Sequence, residues 1–196
     1  GCSGSVPGGG PQVETSVEPS VIVAGGQTTV TCTLRNGPAE AVTSYRVEPD
    51  IGWHGEGDLL TVTKAGNFVV RCEVAELDLI DPVGAELAVA PGEPVQVATH
   101  LDPPAVPVHQ PCTVTCAVED VHGNALEGDW ALSIAVDEGL DLLGDQATSE
   151  IPGTYEVRCQ APSNPDLNEV PAQLEVTPDV PVSVEITLKP DVPALK

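Results

Sequence analysis

QVETSVEPSVIVAGGQTTVTC (Gln12–Cys32) and QVATHLDPPAVPVHQPCTVTC (Gln96–Cys116) are one stretch written twice. They align at a constant offset of 84, which lays Val13 on Val97, Pro19 on Pro103 and Cys32 on Cys116. A third beginning, VSVEITLKPDVPALK (Val182–Lys196), brings Val184 and Pro190 into the same register. The later parts agree at an offset of 87: GNFVVRCEV (Gly66–Val74) with GTYEVRCQA (Gly153–Ala161), and ELAVAPGEPVQV (Glu86–Val97) with QLEVTPDVPVSV (Gln173–Val184). A three-residue insertion therefore falls between Cys116 and Gly153. Self-similarity at a fixed period marks a tandem array. The expected organisation is a Gly/Ser/Pro tether over 1–11, modules over 12–92 and 93–180, and the first strand of a third, incomplete repeat over 181–196.

Each module reads as short strands. In TTVTCTL, Val30, Cys32 and Leu34 share one face while Thr29, Thr31 and Thr33 share the other. In GTYEVRCQA, Tyr155, Val157 and Cys159 oppose Glu156, Arg158 and Gln160. Such alternation predicts antiparallel sheets with one buried and one wet face. Pro and Gly interrupt the chain every ten residues or so. AVTSYRVEPD reads as a strand ending at Pro49, and no helical period persists. The fold class is all-β.

The cysteines join the sheets. Each module carries one in its second strand and one in its second-to-last, Cys32 with Cys72 and Cys116 with Cys159, all facing inward by the alternation. A bridge within each pair would staple two sheets face to face and imply an oxidising compartment. Closing a loop of some 40 residues stabilises by about 4 kcal/mol on the chain-entropy model. Cys2 and Cys112 stand outside this framework, with Thr28 in the Cys112 position of the first module.

On these residues the chain resembles the bacterial immunoglobulin-like domains repeated along surface adhesins, stalks and envelope lipoproteins. The carriers are TVTCTL, TVTCAVEDVHGN, the G-x-[FY]-x-V-R-C segments at Gly66 and Gly153, and the L-x-V-x-P strands at Leu87 and Leu174. The resemblance implies tandem immunoglobulin-like β-sandwiches, each with an inter-sheet disulfide. It also implies Trp130, 14 residues beyond Cys116, as a core tryptophan. In the first module Tyr45 lies nearby and Trp53 is displaced. Phe68 and Tyr155 precede the second cysteine by four residues, a departure from the two of a tyrosine corner.

With 30 acidic and 7 basic residues the net charge is −23. Such a surface repels phosphate backbones, so nucleic acid is excluded as a partner. Solubility, or adaptation to salt, is the plain reading of the carboxylates. No stretch approaches the roughly 18 to 20 apolar residues of a membrane span. There is no Met, so the expectation is an N-terminus that has been trimmed.

No enzyme is expected. His54, His100, His109 and His122 are scattered and belong to no catalytic motif. His109, Cys112 and Cys116 look like zinc ligands, but strand residues four apart lie about 13 Å from one another. Carboxylates gather in ELDLID (Glu76–Asp81), VEDVHGNALEGD (Val118–Asp129) and DEGLDLLGD (Asp137–Asp145). Only the second offers weak calcium candidates, Asp120, Asn124 and Asp129, around a turn at Gly123. A solvated loop is the default, and no cofactor is expected.

PGEP (Pro91–Pro94) and PDVP (Pro178–Pro181) are short joints with proline at both ends, which favours stiffness. The tether from Cys2 to Gln12 reaches at most about 36 Å, too short to pass two stacked modules to Cys112. Cys112 is thus expected to be unpaired or intermolecular. Cys2 is read as a lipidation site, with an intermolecular disulfide or a residue left from making the chain as alternatives. Gly1 ahead of it departs from a mature lipoprotein.

The expected function is an extracellular structural or adhesive stalk, lipid-anchored at the bacterial outer surface. Its partners would be other copies of itself or other surface proteins, and it would meet the membrane only through a lipid on Cys2. One alternative is a subunit of a surface filament, assembled by strand addition through Val182–Pro190 or by an intermolecular disulfide. Another is a ligand-binding accessory module of a secreted enzyme, for which Trp53 is the one candidate contact aromatic.

Overall fold

A computed structural model describes residues 9–179. The first repeat supplies β1 (Gln12–Glu18), β2 (Val21–Val23), β3 (Gln27–Arg35), β4 (Ser44–Glu48), β5 (Trp53–Glu56), β6 (Leu59–Val62), β7 (Gly66–Val74), β8 (Leu79–Ile80) and β9 (Ala85–Ala90). One sheet runs β1-β3-β6-β5; the other runs β2-β9-β7-β4, with β8 added to β7. The AVTSYRVEPD strand, β4, stops at Glu48 ahead of Pro49.

The second repeat supplies β10 (Gln96–Asp102), β11 (Ala105–Pro107), β12 (Cys112–Glu119), β13 (Ser133–Val136), β14 (Asp141–Leu143), β15 (Gln146–Thr148), β16 (Gly153–Gln160), β17 (Asn168–Val170) and β18 (Ala172–Thr177). Its sheets run β14-β15-β12-β10-β17 and β11-β18-β16-β13. In each repeat the opening strand breaks at a proline, Pro19 or Pro103, which cannot donate to a ladder. The chain then crosses to the opposite sheet. There β2 pairs parallel to β9, and β11 parallel to β18. Two facing antiparallel sheets, with an opening strand that changes from one to the other, is the immunoglobulin arrangement.

Contacts group the described residues into two compact units: 9–98 with 117–131 and 161–169, and 99–116 with 132–160 and 170–179. The first unit's core is filled by Val13, Val17, Val30, Leu60 and Val62 from one sheet and Val47, Phe68, Val70, Val74, Leu87 and Val89 from the other. Burying an aliphatic side chain of this size contributes about 1.5–3 kcal/mol. In the second unit Val106, Val114, Ala147, Tyr155, Val157, Leu174 and Val176 are buried in the same way. Cys32 on β3 is bonded to Cys72 on β7, and Cys116 on β12 to Cys159 on β16. The Cα atoms lie 5.5 and 5.6 Å apart, and each bond joins the two sheets of its sandwich.

Trp130 does not fill the core position. It is half-buried, ahead of β13, with its indole N–H donating to the Leu126 carbonyl at 3.3 Å. The residues facing the later cysteines are Tyr45, paired with Cys72, and Ile134, paired with Cys159. The segment between β12 and β13 turns back on itself through a bridge between Glu119 and Ala125, which holds Trp130 outside the sandwich.

Candidate functional site

A densely hydrogen-bonded polar cluster lies in the first compact unit, where β12 ends. Asp120 begins the turn Asp-Val-His-Gly-Asn, in which Gly123 takes a φ of +70° that a side chain would strain. Its Oδ1 accepts the N–H groups of His122 (2.8 Å) and Asn124 (2.9 Å), an Asx-type turn. Backbone bonds from Asp120 N to Asn124 O and from Gly123 N to Asp120 O, both 3.0 Å, complete the loop.

The other half of the cluster reaches outward. Asp120 Oδ2 accepts the Gly92 N–H at 2.7 Å and the Asn124 side-chain amide at 2.9 Å. That amide also donates to the Thr63 carbonyl at 2.8 Å, while Asn124 Oδ1 accepts the Ala65 N–H at 2.9 Å. Lys64 Nζ meets the His122 carbonyl at 3.5 Å. A Cβ on Gly92 would sit 3.3 Å from Asp120 Cβ and Oδ2, so the close approach favours glycine. Asp120 is 0% exposed and Asn124 6%. Burial alone would push the Asp120 carboxyl up, but the Asn124 amide and the N–H groups of Gly92, Asn124 and His122 outweigh it and hold the group down at about 2.

Those bonds answer the calcium expectation. Both Asp120 oxygens face N–H donors, and Asn124 Oδ1 faces another, so none of them is directed at a cation. Asp129 is exposed. Among the described residues no group of three or more His, Cys, Asp or Glu side chains is placed to hold a metal.

A second polar feature supports each disulfide. The Cys72 N–H donates to Thr15 Oγ1 at 2.8 Å, and the Cys159 N–H to Thr99 Oγ1 at 2.9 Å. Thr15 and Thr99 coincide at the offset of 84. Each sits on the inward face of its strand, between Val13 and Val17 or between Val97 and Leu101. In the first repeat the network extends to buried Asp81, which accepts the N–H groups of Thr15 (2.8 Å) and Val83 (3.0 Å). Burial would raise the Asp81 carboxyl, yet its bonds to Thr15, Gly84 and Val83 bring it below the usual range. Sequence inspection missed this clamp; a threonine in an inward-facing valine row, repeated in register, was the available signal.

Cys112 is a free thiol, 0% exposed, at the start of β12 opposite Ala147. Burial pushes its thiol up. A second chain cannot reach it without opening the sandwich, which removes Cys112 from the intermolecular disulfide considered above. Cys2 and the expected third-repeat strand over 181–196 lie outside the described residues. Tyr155 donates its hydroxyl to the Ile151 carbonyl at 2.7 Å, with Ser149 Oγ 3.2 Å from it. That bond ties the turn before β16 as a tyrosine corner does, over a four-residue arc. Trp53 lies against Tyr45 with the rings tilted by 45° and their centroids 6.5 Å apart, and it donates to Asp50 Oδ1 at 2.8 Å.

No protein-family model and no curated protein matches the chain. Solved structures do. The Escherichia coli adhesin FdeC aligns over 85% of this chain and 64% of its own, at 18% identity and a TM-score of 0.41. Invasin, described as a bacterial integrin-binding protein, aligns over 86% and 40%, at 15% identity and 0.38. The Yersinia pseudotuberculosis adhesin InvE aligns over 84% and 58%, at 15% identity and 0.38. The chain thus spans less than two thirds of each. The fold assignment rests on the strand pairing and the two inter-sheet disulfides.

Proposed function

We propose that the chain is an extracellular structural and adhesive stalk of tandem immunoglobulin-like domains at a bacterial surface, with a lipid on Cys2 as its anchor. The observation that carries this reading is the pair of like sandwiches in tandem, each closed by a disulfide between its sheets. Such bonds persist in oxidising compartments, and the acidic surface suits exposure to solvent. No catalytic role is assigned. The most strongly perturbed carboxylate, that of Asp120, is consumed by structural hydrogen bonds. The adhesin neighbours agree with the stalk reading without carrying it. Integrin binding, which is described for invasin, and binding to other host or surface proteins belong to this proposal.

The test is made on native material. Protease added to intact cells should digest the chain, and the mass of its N-terminal peptide should include diacylglycerol on Cys2. Recovery in the cytoplasmic fraction with reduced thiols would sink the extracellular reading. A surface protein with an unmodified Cys2 would leave the stalk but remove the lipid anchor.

A further inference from the structure

We propose that the Asp120–Asn124 loop and the Thr63–Ala65 turn with Gly92 are a matched key and socket, which fixes the order in which these two repeats follow one another. Both halves lie within the first compact unit. The inference goes beyond the stalk reading and does not depend on what the stalk holds.

The repeat register shows that each half occurs once. β3 ends at Arg35 and β12 at Glu119, still 84 apart, so the residues that follow can be laid side by side. The first repeat has Asn36-Gly37-Pro38-Ala39-Glu40 where the second has Asp120-Val121-His122-Gly123-Asn124. Asn36 brings an amide in place of the carboxylate. Pro38 has no N–H where that of His122 donates to Asp120. Glu40 brings an anion where the Asn124 amide donates to Thr63. The first repeat therefore carries no key.

The socket is equally one-sided. β7 and β16 both start at the shared glycine, Gly66 and Gly153, and β9 and β18 keep the same offset of 87. Pro152 accordingly stands in the place of Ala65, whose N–H is the donor to Asn124 Oδ1. Asp179 stands in the place of Gly92, which donates to Asp120 and whose Cβ would lie only 3.3 Å from the Asp120 side chain. Ile151, 62% exposed, replaces Lys64. A Pro lacks the donor outright, and an Asp would set carboxylate against carboxylate. The second repeat therefore carries no socket. By this contact the two repeats cannot exchange places, nor can the second receive a copy of itself.

Amide hydrogen exchange on the full chain tests this, because it reads the Ala65 and Gly92 N–H groups one at a time. In the native chain both should be protected. Giving the loop the first repeat's residues, Asp120→Asn with Asn124→Glu, should speed both by about 100-fold or more. Giving the socket Ala65→Pro should speed Gly92, whereas Ala65→Ser, which keeps the N–H, should leave it protected. The Cys72 amide, held by Thr15, reports that the sandwich is still folded. A Cys72 amide that is lost as well redirects the reading to the single variant Asn124→Ala, in which Ala65 alone must lose protection. Exchange of Ala65 and Gly92 at the rates of open amides in the native chain would overturn the proposal. So would protection that survives the loop exchange.

Discussion

Replacing Asp120 by Asn keeps the side chain's shape and removes its charge. In the native loop the carboxylate accepts four hydrogen bonds of 2.7–2.9 Å at a site 0% exposed. An amide has one accepting oxygen, so its NH2 must face two N–H donors. Two charge-assisted bonds are lost and their donors left buried, at roughly 1.5–3 kcal/mol each, for about 3–6 kcal/mol in all. Linkage gives a second figure. A carboxyl lowered from 3.8 to about 2 contributes at most about 2 kcal/mol at neutral pH. The amide should cost more than protonation does, because a carboxylic acid can turn its remaining lone pairs toward the donors. The sign follows from the folded value lying below the unfolded one. The contribution is fully present above about pH 4 and is lost as pH falls toward 2. Urea unfolding followed by tryptophan fluorescence reads the right part of the molecule, since Trp53 and Trp130 both lie in the first compact unit. The expected result is a gap between native chain and Asp120→Asn of several kcal/mol at pH 7, narrowing by about 2 kcal/mol at pH 2. Other carboxylates titrate alike in both chains and cancel. A gap under about 1 kcal/mol at pH 7, or one unchanged between pH 6 and pH 2, would refute the assigned role of the charge.

Three further outcomes are expected. Thr15→Val should destabilise the first unit by about 1–3 kcal/mol by stranding the buried Cys72 N–H, with Thr15→Ser recovering most of it. Thr99→Val should do the same to Cys159 in the second unit, measured by exchange of that amide; full protection in either variant would remove the clamp. In a Cys2→Ser background a thiol reagent should label nothing in the native chain and one group, Cys112, in urea. Fast labelling of the native chain would contradict the burial of Cys112.

Much of this molecule was determined by its sequence. Two-residue alternation in TTVTCTL and GTYEVRCQA set strands and their inward faces, because successive side chains in a strand must point opposite ways. The repeat register then placed one inward cysteine on each sheet of each module. These are local or periodic properties, and a single chain displays them without folding. Trp130 shows where that legibility stops. Its spacing from Cys116 suits a core residue, but the turn closed by Glu119 and Ala125 takes it elsewhere, and turns depend on pairings that spacing does not encode. Asp120 and Asn124 show it again. In sequence they are two oxygen-bearing side chains in an acidic loop, equally suited to water or a cation. Only the fold brings the Thr63 carbonyl and the N–H groups of Ala65 and Gly92, 28 to 61 residues away, within hydrogen-bond distance. A donor buried against a carboxylate settles its role, and tertiary structure alone decides which donors arrive.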